Sequence, residues 1–281
     1  EFRQRVPMTT YDDYLPYLAE KREDILPRKP FWWLRTSGRS GQGPKWAPYT
    51  REAARKLGQC GITLLILASC SKRGDFALEE GDIMLYTLAP FPYVSGAILK
   101  SAQEDFNFSV LPPEERAVKM DFQERIQEGF HMALKSGLDI FDGMASVLVK
   151  IGEQFKEGAG RLHFSAYFLH PQVMFRLIRA LIRSRLAGRS FLLPKDLWDI
   201  KCLATGSTDT ALFRDQIEEY WGRTPIEAYA ATEATGILAI QGWNAKGLTF
   251  LPDVSFLEFI PMEEHLRSKE DPTYQPDALL L

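Results

Sequence analysis

A short segment at residues 36–45 concentrates the groups that bind phosphate. It reads TSGRSGQGPK, with three glycines, three hydroxyl side chains and a closing lysine. Glycines let backbone N–H groups approach an anion, hydroxyls add donors, and an ammonium group supplies charge for the outer phosphate oxygens. The segment therefore predicts a phosphate-binding loop. The alternative is a flexible solvent-exposed loop, which Gly-rich and Ser-rich segments also form.

The loop departs from the two common nucleotide-binding patterns. Gly38 and Gly43 have the spacing of a Walker A motif. Pro44, however, separates the second glycine from Lys45, and Trp46 stands where a Ser or Thr would hold magnesium. No third glycine opens a helix at the spacing of a dinucleotide-binding fingerprint. The pattern therefore argues against a kinase-like or GTPase-like P-loop and against a Rossmann NAD site.

A second motif lies at residues 226–233, IEAYAATE, and has the form of a strand that leads into Tyr-x-x-Thr-Glu. Together with the loop, it resembles the adenylate-forming enzymes, which include acyl-CoA synthetases, luciferases and peptide-synthetase adenylation domains. Between the two motifs, residues 203–207, LATGS, are similar to the small-residue turn that holds adenine in these enzymes. Residues 213–221 are expected to form the helix that follows this turn.

Two further segments narrow the resemblance. Residues 255–261, SFLEFIP, and residues 6–14, VPMTTYDDY, look like segments of the plant auxin-responsive acyl acid amido synthetases and their bacterial relatives. Motifs at both ends and in the middle make the resemblance cover nearly the whole chain. It implies an α/β fold over residues 1–281: the large N-terminal domain of an adenylate-forming enzyme, with mixed β-sheets packed with helices.

The resemblance also implies a reaction and its site. A substrate carboxylate attacks the α-phosphate of ATP, and the acyl group of the resulting adenylate passes to an amino acid amine or to the thiol of CoA or a carrier protein. Charge builds on phosphate oxygens, so its stabilisation is the main catalytic task. The implied catalytic residues are Lys45, Thr232 and Glu233, with Glu233 as the ligand of Mg²⁺. The implied ATP-binding residues are Thr36, Ser37, Gly38, Ser40, Gly41, Lys45, Gly206, Ser207, Tyr229, Ala230 and Thr232.

Some of these residues also have simpler interpretations. Glu233 by itself would be an exposed carboxylate at the start of a helix, where the helix dipole stabilises it. Tyr229 by itself would be an ordinary core residue. By analogy, the region of the acyl pocket contains Asp139, Phe141, Asp142 and Met144, whose simpler roles are helix initiation and packing.

Two departures from the family pattern bear on activity. Arg39 stands where these loops usually carry a small hydroxyl residue; its guanidinium could bind phosphate in a bidentate manner, or its bulk could fill the space of the nucleotide. The sequence ends before the ribose-binding Asp motif, the hinge and the C-terminal cap. The expectation is therefore a chain without the cap that binds ATP and adenylates poorly by itself. The alternative function is a non-catalytic nucleotide- or acyl-binding module that acts with a partner.

Composition excludes several other classes. The 281 residues are 45% hydrophobic and 25% charged, and the formal net charge is −3. The absence of a basic excess argues against nucleic acid as a partner, and the absence of an apolar run of about 18 residues argues against a membrane span. The three cysteines contain no C-x-x-C pair, which argues against a zinc site or a disulfide framework and favours a reducing cytoplasm.

The elements that must position these motifs alternate between helical and strand periodicity, as expected for an α/β fold. Strands are predicted at residues 62–68 and 83–88. Helices are predicted at residues 51–57, 97–103, 114–132, 146–155, 172–186 and 213–221. In the helix at 172–186, apolar residues including Phe175 fall on one face and three arginines on another, which predicts a solvated arginine face.

Overall fold

The computed structural model describes residues 5–38, 43–158, 170–206, 209–234, 236–271 and 273–280, and within these ranges the chain is a mixed α/β protein. The strands are β1 (Trp32–Arg35), β2 (Trp46–Tyr49), β3 (Ile83–Tyr86), β4 (Ser109–Leu111), β5 (Ile140–Gly143), β6 (Cys202–Thr205), β7 (Ile226–Ala231), β8 (Gly236–Gln241), β9 (Leu248–Phe250), β10 (Glu258–Phe259) and β11 (Leu279–Leu280). The helices are α1 (Tyr11–Leu18), α2 (Arg51–Ser69), α3 (Val94–Asp105), α4 (Glu114–Ala117), α5 (Phe122–Ser136), α6 (Ala145–Gly158), α7 (Pro171–Leu186), α8 (Pro194–Leu197), α9 (Thr210–Trp221) and α10 (Met262–Glu270).

The central sheet has the strand order β4-β3-β5-β6-β7-β8-β9. The strands from β4 to β7 are parallel, whereas β8 and β9 are antiparallel to their neighbours. The chain leaves β3 toward β4 on one side and continues from β5 toward β6 on the other. This reversal of strand order opens a crevice at the carboxyl ends of β3 and β5, where open α/β sheets bind their ligands.

Both faces of this sheet are buried, which explains the nearly continuous apolar character of its central strands. Along β5, Ile140 joins a core cluster that contains side chains of α2 and α3, and Phe141 joins a second cluster on the opposite face with side chains of α5, α6 and α9. The same alternation places Met84 and Tyr86 of β3 on the α2 and α3 face. Asp142, two residues after Ile140, follows this alternation toward the same face.

Most predicted helices are confirmed with different bounds, but two predictions were wrong. Residues 62–68, predicted as a strand, belong to the 19-residue helix α2, which Thr50 caps by accepting a hydrogen bond from the N–H of Ala53. A short apolar run does not distinguish a buried strand from a buried helix. The helix predicted at 114–132 is divided into α4 and α5, because Asp121 and Glu124 form a capping box that starts α5.

Helix α7 presents its faces differently from the prediction. Arg176 donates to the carbonyl oxygens of Leu134 and Lys135 at the end of α5, and Arg179 and Arg183 both bind Asp199. The apolar side chains are the more exposed ones: Phe175 is 69% exposed, and Ile178 and Ile182 are more than half exposed. The side chains of Arg179 and Arg183 are still 39% exposed, so the arginine face is partly solvated, but its arginines also bind carbonyl and carboxylate groups of the neighbouring elements.

No helix in the described part of the chain is long and apolar enough to cross a membrane.

Candidate functional site

The glycine-rich segment connects the two strands of an antiparallel hairpin, β1 and β2. Its ends are joined by two hydrogen bonds: the N–H of Thr36 donates to the carbonyl oxygen of Lys45, and the N–H of Lys45 donates to the hydroxyl of Thr36, both at 2.9 Å. Gly38 and Gly43 have φ angles of 72° and 81°, a conformation that favours glycine. These bonds join the two ends of the segment; residues 39–42, which include Arg39, Ser40 and Gly41, lie outside the described ranges.

Tyr11 of α1 supports the return strand of this hairpin. Its hydroxyl donates to the carbonyl oxygen of Trp46 at 2.8 Å and accepts from the N–H of Trp46 at 3.0 Å. The ammonium nitrogen of Lys45 lies 4.7 Å from the centre of the Tyr11 ring, within the range of a cation–π interaction. The predicted phosphate-binding lysine is therefore held beside an aromatic ring that α1 contributes.

The Thr-Glu pair of the second motif forms a short 3₁₀ turn directly after β7. The hydroxyl of Tyr49, at the end of β2, donates to the carbonyl oxygen of Thr232 at 2.8 Å, and Thr232 is only 6% exposed. Glu233 is exposed, and its carboxylate has no hydrogen bond or ion pair with any described residue. Burial raises the pKa of both Tyr49 and Tyr11, and the negative charge of Glu233 adds to the rise. Glu233 thus faces both tyrosines.

Two cavities lie beside these motifs. The hairpin cavity, of about 310 Å³, is enclosed by α1, β2 and the Thr232–Glu233 turn. The carboxyl-end cavity, of about 410 Å³, lies where β3, β5 and β6 end and is covered by α2 and α3. Ser37 lines the second cavity, whereas Ala47, Pro48 and Tyr49 of the return strand line the first. The hairpin therefore contributes to both.

The predicted site residues divide between these places. Ser37, Gly206 and Ala230 line the carboxyl-end cavity, and Thr232 and Glu233 line the hairpin cavity. Thr36, Gly38, Lys45 and Tyr229 line neither cavity, and the Tyr229 side chain is 43% exposed. Ser207, like Ser40 and Gly41, lies outside the described residues. Five of the predicted residues thus line the two cavities, and Thr36, Gly38 and Lys45 lie in the glycine-rich segment.

The four residues assigned to the acyl pocket by analogy also separate. Asp142 and Met144 line the carboxyl-end cavity. Phe141 is fully buried on the opposite face of the sheet, where it packs against Trp221. Asp139 accepts a hydrogen bond from the N–H of Ile83 at 2.9 Å and thereby joins β3 to the start of β5. For Asp139 and Phe141, the simpler structural interpretation is the one that the contacts support.

Sequence reasoning missed the polar groups at the end of β3. Tyr86, Thr87 and Arg125 line the carboxyl-end cavity with Asp142. Burial raises the pKa of Asp142 to about 7, because the carboxylate has no charged or hydrogen-bonding partner that would offset its loss of water. The available signal was Tyr-Thr at the carboxyl end of a buried strand, where open α/β sheets bind ligands.

The largest of the cavities lies away from these motifs. It is an open cleft of about 1320 Å³, lined by residues before β6 and β7 and after β8. Its wall carries many charges, but Arg183 is paired with Asp199 and Arg189 with Asp196. These side chains hold α7 and α8 in place. The residues that line the carboxyl-end cavity lie at the opposite ends of the parallel strands.

A preassembled metal site is absent from the described residues, because no three His, Cys, Asp or Glu side chains come together there. Magnesium bound to nucleotides needs only one or two protein carboxylates, since phosphate oxygens and waters complete its octahedral shell. The exposed, unpaired carboxylate of Glu233 fits that requirement.

Comparisons with known proteins agree with the sequence motifs. A family model described as the GH3 family N-terminal domain matches residues 1–102. No match was found among curated proteins. One similar solved structure is AtGH3.15 acyl acid amido synthetase in complex with 2,4-DB, with a TM-score of 0.60 at 16% identity over 93% of this chain and 53% of that one.

A second similar structure is an open conformation of 2-hydroxyisobutyryl-CoA ligase in complex with 2-HIB-AMP and CoA, with a TM-score of 0.56 at 14% identity. The match covers 93% of this chain and 48% of that one, so the chain spans about half the length of both structures. The predicted fold class is confirmed, and the family-model match over residues 1–102 agrees with the resemblance seen in the sequence.

Proposed function

We propose that the chain forms the ATP- and acyl-binding part of a ligase. This ligase activates a carboxylic acid as its acyl-adenylate and passes the acyl group to an amino acid amine or to the thiol of CoA or a carrier protein. The observation that carries the proposal is the Tyr49–Thr232 hydrogen bond. It joins the return strand of the glycine-rich hairpin to the Thr-Glu turn, two segments that both have the character of triphosphate ligands.

The hairpin supplies groups that suit the β- and γ-phosphates. Backbone N–H groups of residues 37–43, the hydroxyls of Ser37 and Ser40, and the ammonium of Lys45 would neutralise charge that develops on the phosphate oxygens. The role of Thr36 is different, because its hydroxyl already accepts from the N–H of Lys45. In this proposal Thr36 fixes the stem of the loop, and the groups beyond it contact the nucleotide.

The Thr-Glu turn would hold the α-phosphate and the metal. The exposed carboxylate of Glu233 would ligate Mg²⁺, which neutralises phosphate charge when it is bound. Thr232 is oriented by Tyr49, and its backbone and hydroxyl would contact the α-phosphate. Because Glu233 has no partner among the described residues, no ion pair has to be broken when it binds a metal.

The carboxyl-end cavity would receive the acid and the adenine side of the adenylate. Its wall combines small residues at Gly206 and Ala230 with a continuous apolar surface from α2 and α3. Ser207 and the exposed ring of Tyr229 complete the adenine site in this proposal, because a flat base needs small neighbours and one aromatic plane.

The proposal is tested by binding of Mg·ATP to the chain, measured by isothermal titration calorimetry. Loss of the Lys45 or the Glu233 charge should weaken binding by about 10- to 100-fold each, as expected when a charge-assisted contact worth about 1.5–3 kcal/mol is removed. Lys45→Ala and Glu233→Ala are compared with Lys269→Ala and Glu270→Ala, which remove the same charges from the exposed helix α10.

The outcomes separate the two candidate functions. Binding that weakens in neither site variant rules out the nucleotide site. Binding that weakens as expected, without acid-dependent exchange of pyrophosphate into ATP even when a C-terminal cap is added to the chain, favours the alternative, a non-catalytic nucleotide- or acyl-binding module. Acid-dependent exchange supports adenylation.

A further inference from the structure

The carboxyl-end cavity contains a polar wall that the proposed reaction does not itself use. It lies at the reversal of strand order between β3 and β5, with β3 and β5 side chains on one side and helices α2 and α3 on the other. In the parallel register, Tyr86 of β3 stands directly beside Asp142 of β5, and Asp142 stands beside Ala204 of β6. Two polar side chains therefore adjoin at the base of the cavity.

Neither polar group is satisfied within the described residues. The hydroxyl of Tyr86 is buried and has no hydrogen-bond partner there. The hydroxyl of Ser95 lies close enough to offset part of the rise that burial causes in the pKa of Tyr86, but it donates to the carbonyl oxygen of Ala89 at 2.8 Å and leaves the phenol without a hydrogen bond of good geometry. The carboxylate of Asp142 likewise has no hydrogen bond or ion pair with a described residue; only its main-chain oxygen is used, by Thr87. Polar groups inside a protein are normally hydrogen-bonded, so the missing partners of Tyr86 and Asp142 need an explanation.

The nearest cation does not supply the missing partner. Arg125 lines the same cavity, but one terminal nitrogen donates to the carbonyl oxygen of Met120 at 3.0 Å, and its buried Nε has no partner among the described residues. It forms no ion pair with Asp142. The rest of the wall is largely apolar and includes Leu64, Leu65, Ile98, Leu99, Phe108 and Ile237. Its other hydroxyl groups, those of Ser37, Thr87, Ser95 and Thr205, form no hydrogen bond with the carboxylate of Asp142.

Water or a bound ligand in the cavity is the remaining source of a partner. A buried phenol without a hydrogen-bond partner is destabilising, and a ligand that displaces water from the half-buried carboxylate of Asp142 has to supply a donor in its place. An acid without polar substituents would bury both groups more deeply and leave both unpaired. An acid that carries a donor would pair with the carboxylate and place a polar atom beside the phenol.

We propose that the carboxyl-end cavity selects a carboxylic acid whose acyl portion carries a hydrogen-bond donor, a hydroxyl or an ammonium group, which Asp142 accepts and Tyr86 adjoins. This inference rests on the proposed function, because the acid is assigned to the same cavity. It goes further by naming the substrate class and the two residues that determine specificity. Burial of Asp142, which raises its pKa to about 7, is consistent with a carboxyl group that lacks its partner.

The test compares acids of nearly equal shape by calorimetric titration of the chain in the presence of Mg·ATP. Phenylacetic acid is the apolar reference, and 4-methoxyphenylacetic acid carries an acceptor without a donor. 3-Hydroxyphenylacetic and 4-hydroxyphenylacetic acid carry a hydroxyl donor, and 4-(aminomethyl)phenylacetic acid carries an ammonium. At least one donor-bearing acid should bind about tenfold or more tightly than both reference acids, because one satisfied buried partner is worth about 1–3 kcal/mol. Comparison of the two hydroxyl-bearing acids with the ammonium-bearing acid identifies which donor the cavity prefers.

Variants assign the preference to the two residues. Asp142→Asn should reduce the preference to about threefold or less, since an amide is a weaker acceptor, and Tyr86→Phe should reduce it in part. Asp105→Asn makes the same change at an exposed position at the end of α3, outside the cavity, and should leave the preference unchanged. Circular dichroism checks that each variant folds. If Asp142→Asn does not fold, the comparison of donor-bearing and reference acids on the wild-type chain still decides the question.

Equal affinity for donor-bearing and reference acids overturns the inference and leaves the proposed function standing. A preference that persists in folded Asp142→Asn also overturns it. If Mg·ATP and every acid fail to bind, the proposed function fails together with the inference.

Discussion

The hydroxyl of Tyr49 donates to the carbonyl oxygen of Thr232 at 2.8 Å, across 183 positions of sequence. We expect Tyr49→Phe to lower the free energy of unfolding by about 1–3 kcal/mol, because the buried Thr232 carbonyl loses its side-chain donor. Binding of Mg·ATP should weaken as well, since the Thr-Glu turn would lose its fixed position. Urea denaturation and calorimetry measure the two effects.

The control for this substitution is Tyr14→Phe, which removes an exposed hydroxyl whose one hydrogen bond to a described residue is with Thr9. It should change stability by less than about 0.5 kcal/mol. A Tyr49→Phe variant with unchanged stability and unchanged ATP affinity would show that this bond does not position the turn.

Asp142 should make the stability of the protein depend on pH in an unusual direction. Its pKa rises from 3.8 in the unfolded chain to about 7 in the fold because of burial, so the native state holds the proton more tightly. The contribution of this group to stability is greatest below pH 4, where both states are protonated, and it is lost as pH rises toward 7. A tenfold difference in proton affinity between the two states corresponds to about 1.4 kcal/mol, which sets an upper bound of about 4 kcal/mol at pH 8.

Asp142→Asn should therefore raise the midpoint of thermal unfolding at pH 8 and have little effect at pH 4. Asp253→Asn serves as the opposite case, because Lys56 lowers the pKa of that exposed carboxyl and no gain at pH 8 is expected. Equal effects of Asp142→Asn at the two pH values would refute the assigned direction.

The close approach of α2 and α3 depends on two glycines. A Cβ at Gly58 would lie 2.6 Å from the main-chain carbon of Ser101, whereas a Cβ at Gly61 would lie 2.6 Å from a methyl group of Ile98. Gly58→Ala should destabilise by about 2–3 kcal/mol, because helix backbones must separate. Gly61→Ala should cost less, because a side chain can rotate away. Chemical denaturation ranks the variants.

Gly247→Ala is the reference for that pair, since nothing lies within 4 Å of its added Cβ. The expected order of destabilisation is Gly58, then Gly61, with Gly247 close to zero. The opposite order for the first two would contradict the assignment of the tighter contact to main-chain atoms.

Two aspartates on the wall of the large cleft should differ strongly in their contribution to stability. Asp196 is nearly buried, with a side chain 4% exposed, and binds Arg189 and the N–H of Leu193. Asp196→Ala leaves Arg189 without its partner and should cost about 3–5 kcal/mol. Asp199→Ala removes a carboxylate that is 66% exposed and should cost about 1 kcal/mol or less. Similar losses in the two variants, measured in urea, would disprove the distinction.

Local sequence patterns predicted the fold class and the main motifs. The composition of the site, however, depends on contacts between segments that are far apart in the sequence. The Gly-rich loop and the Thr-Glu turn could be recognised because their residue types are needed at adjacent positions. The neighbourhood of Tyr86 and Asp142 could not be predicted in the same way, since it depends on β3 and β5 pairing across an intervening strand. Residues 62–68 show the same limit, because an apolar run fits a buried helix as well as a buried strand.

The hydrogen bonds between Thr36 and Lys45 have a consequence for the entropy of ligand binding. Ordering one residue's backbone costs about 1–2 kcal/mol, whether folding or a ligand brings it about. Because the two ends of the glycine-rich loop are fastened to each other during folding, a phosphate that binds there does not have to bear the cost of ordering them. Loss of the Thr36 hydroxyl would shift part of that cost to the binding step and weaken affinity without removing any contact to the phosphate.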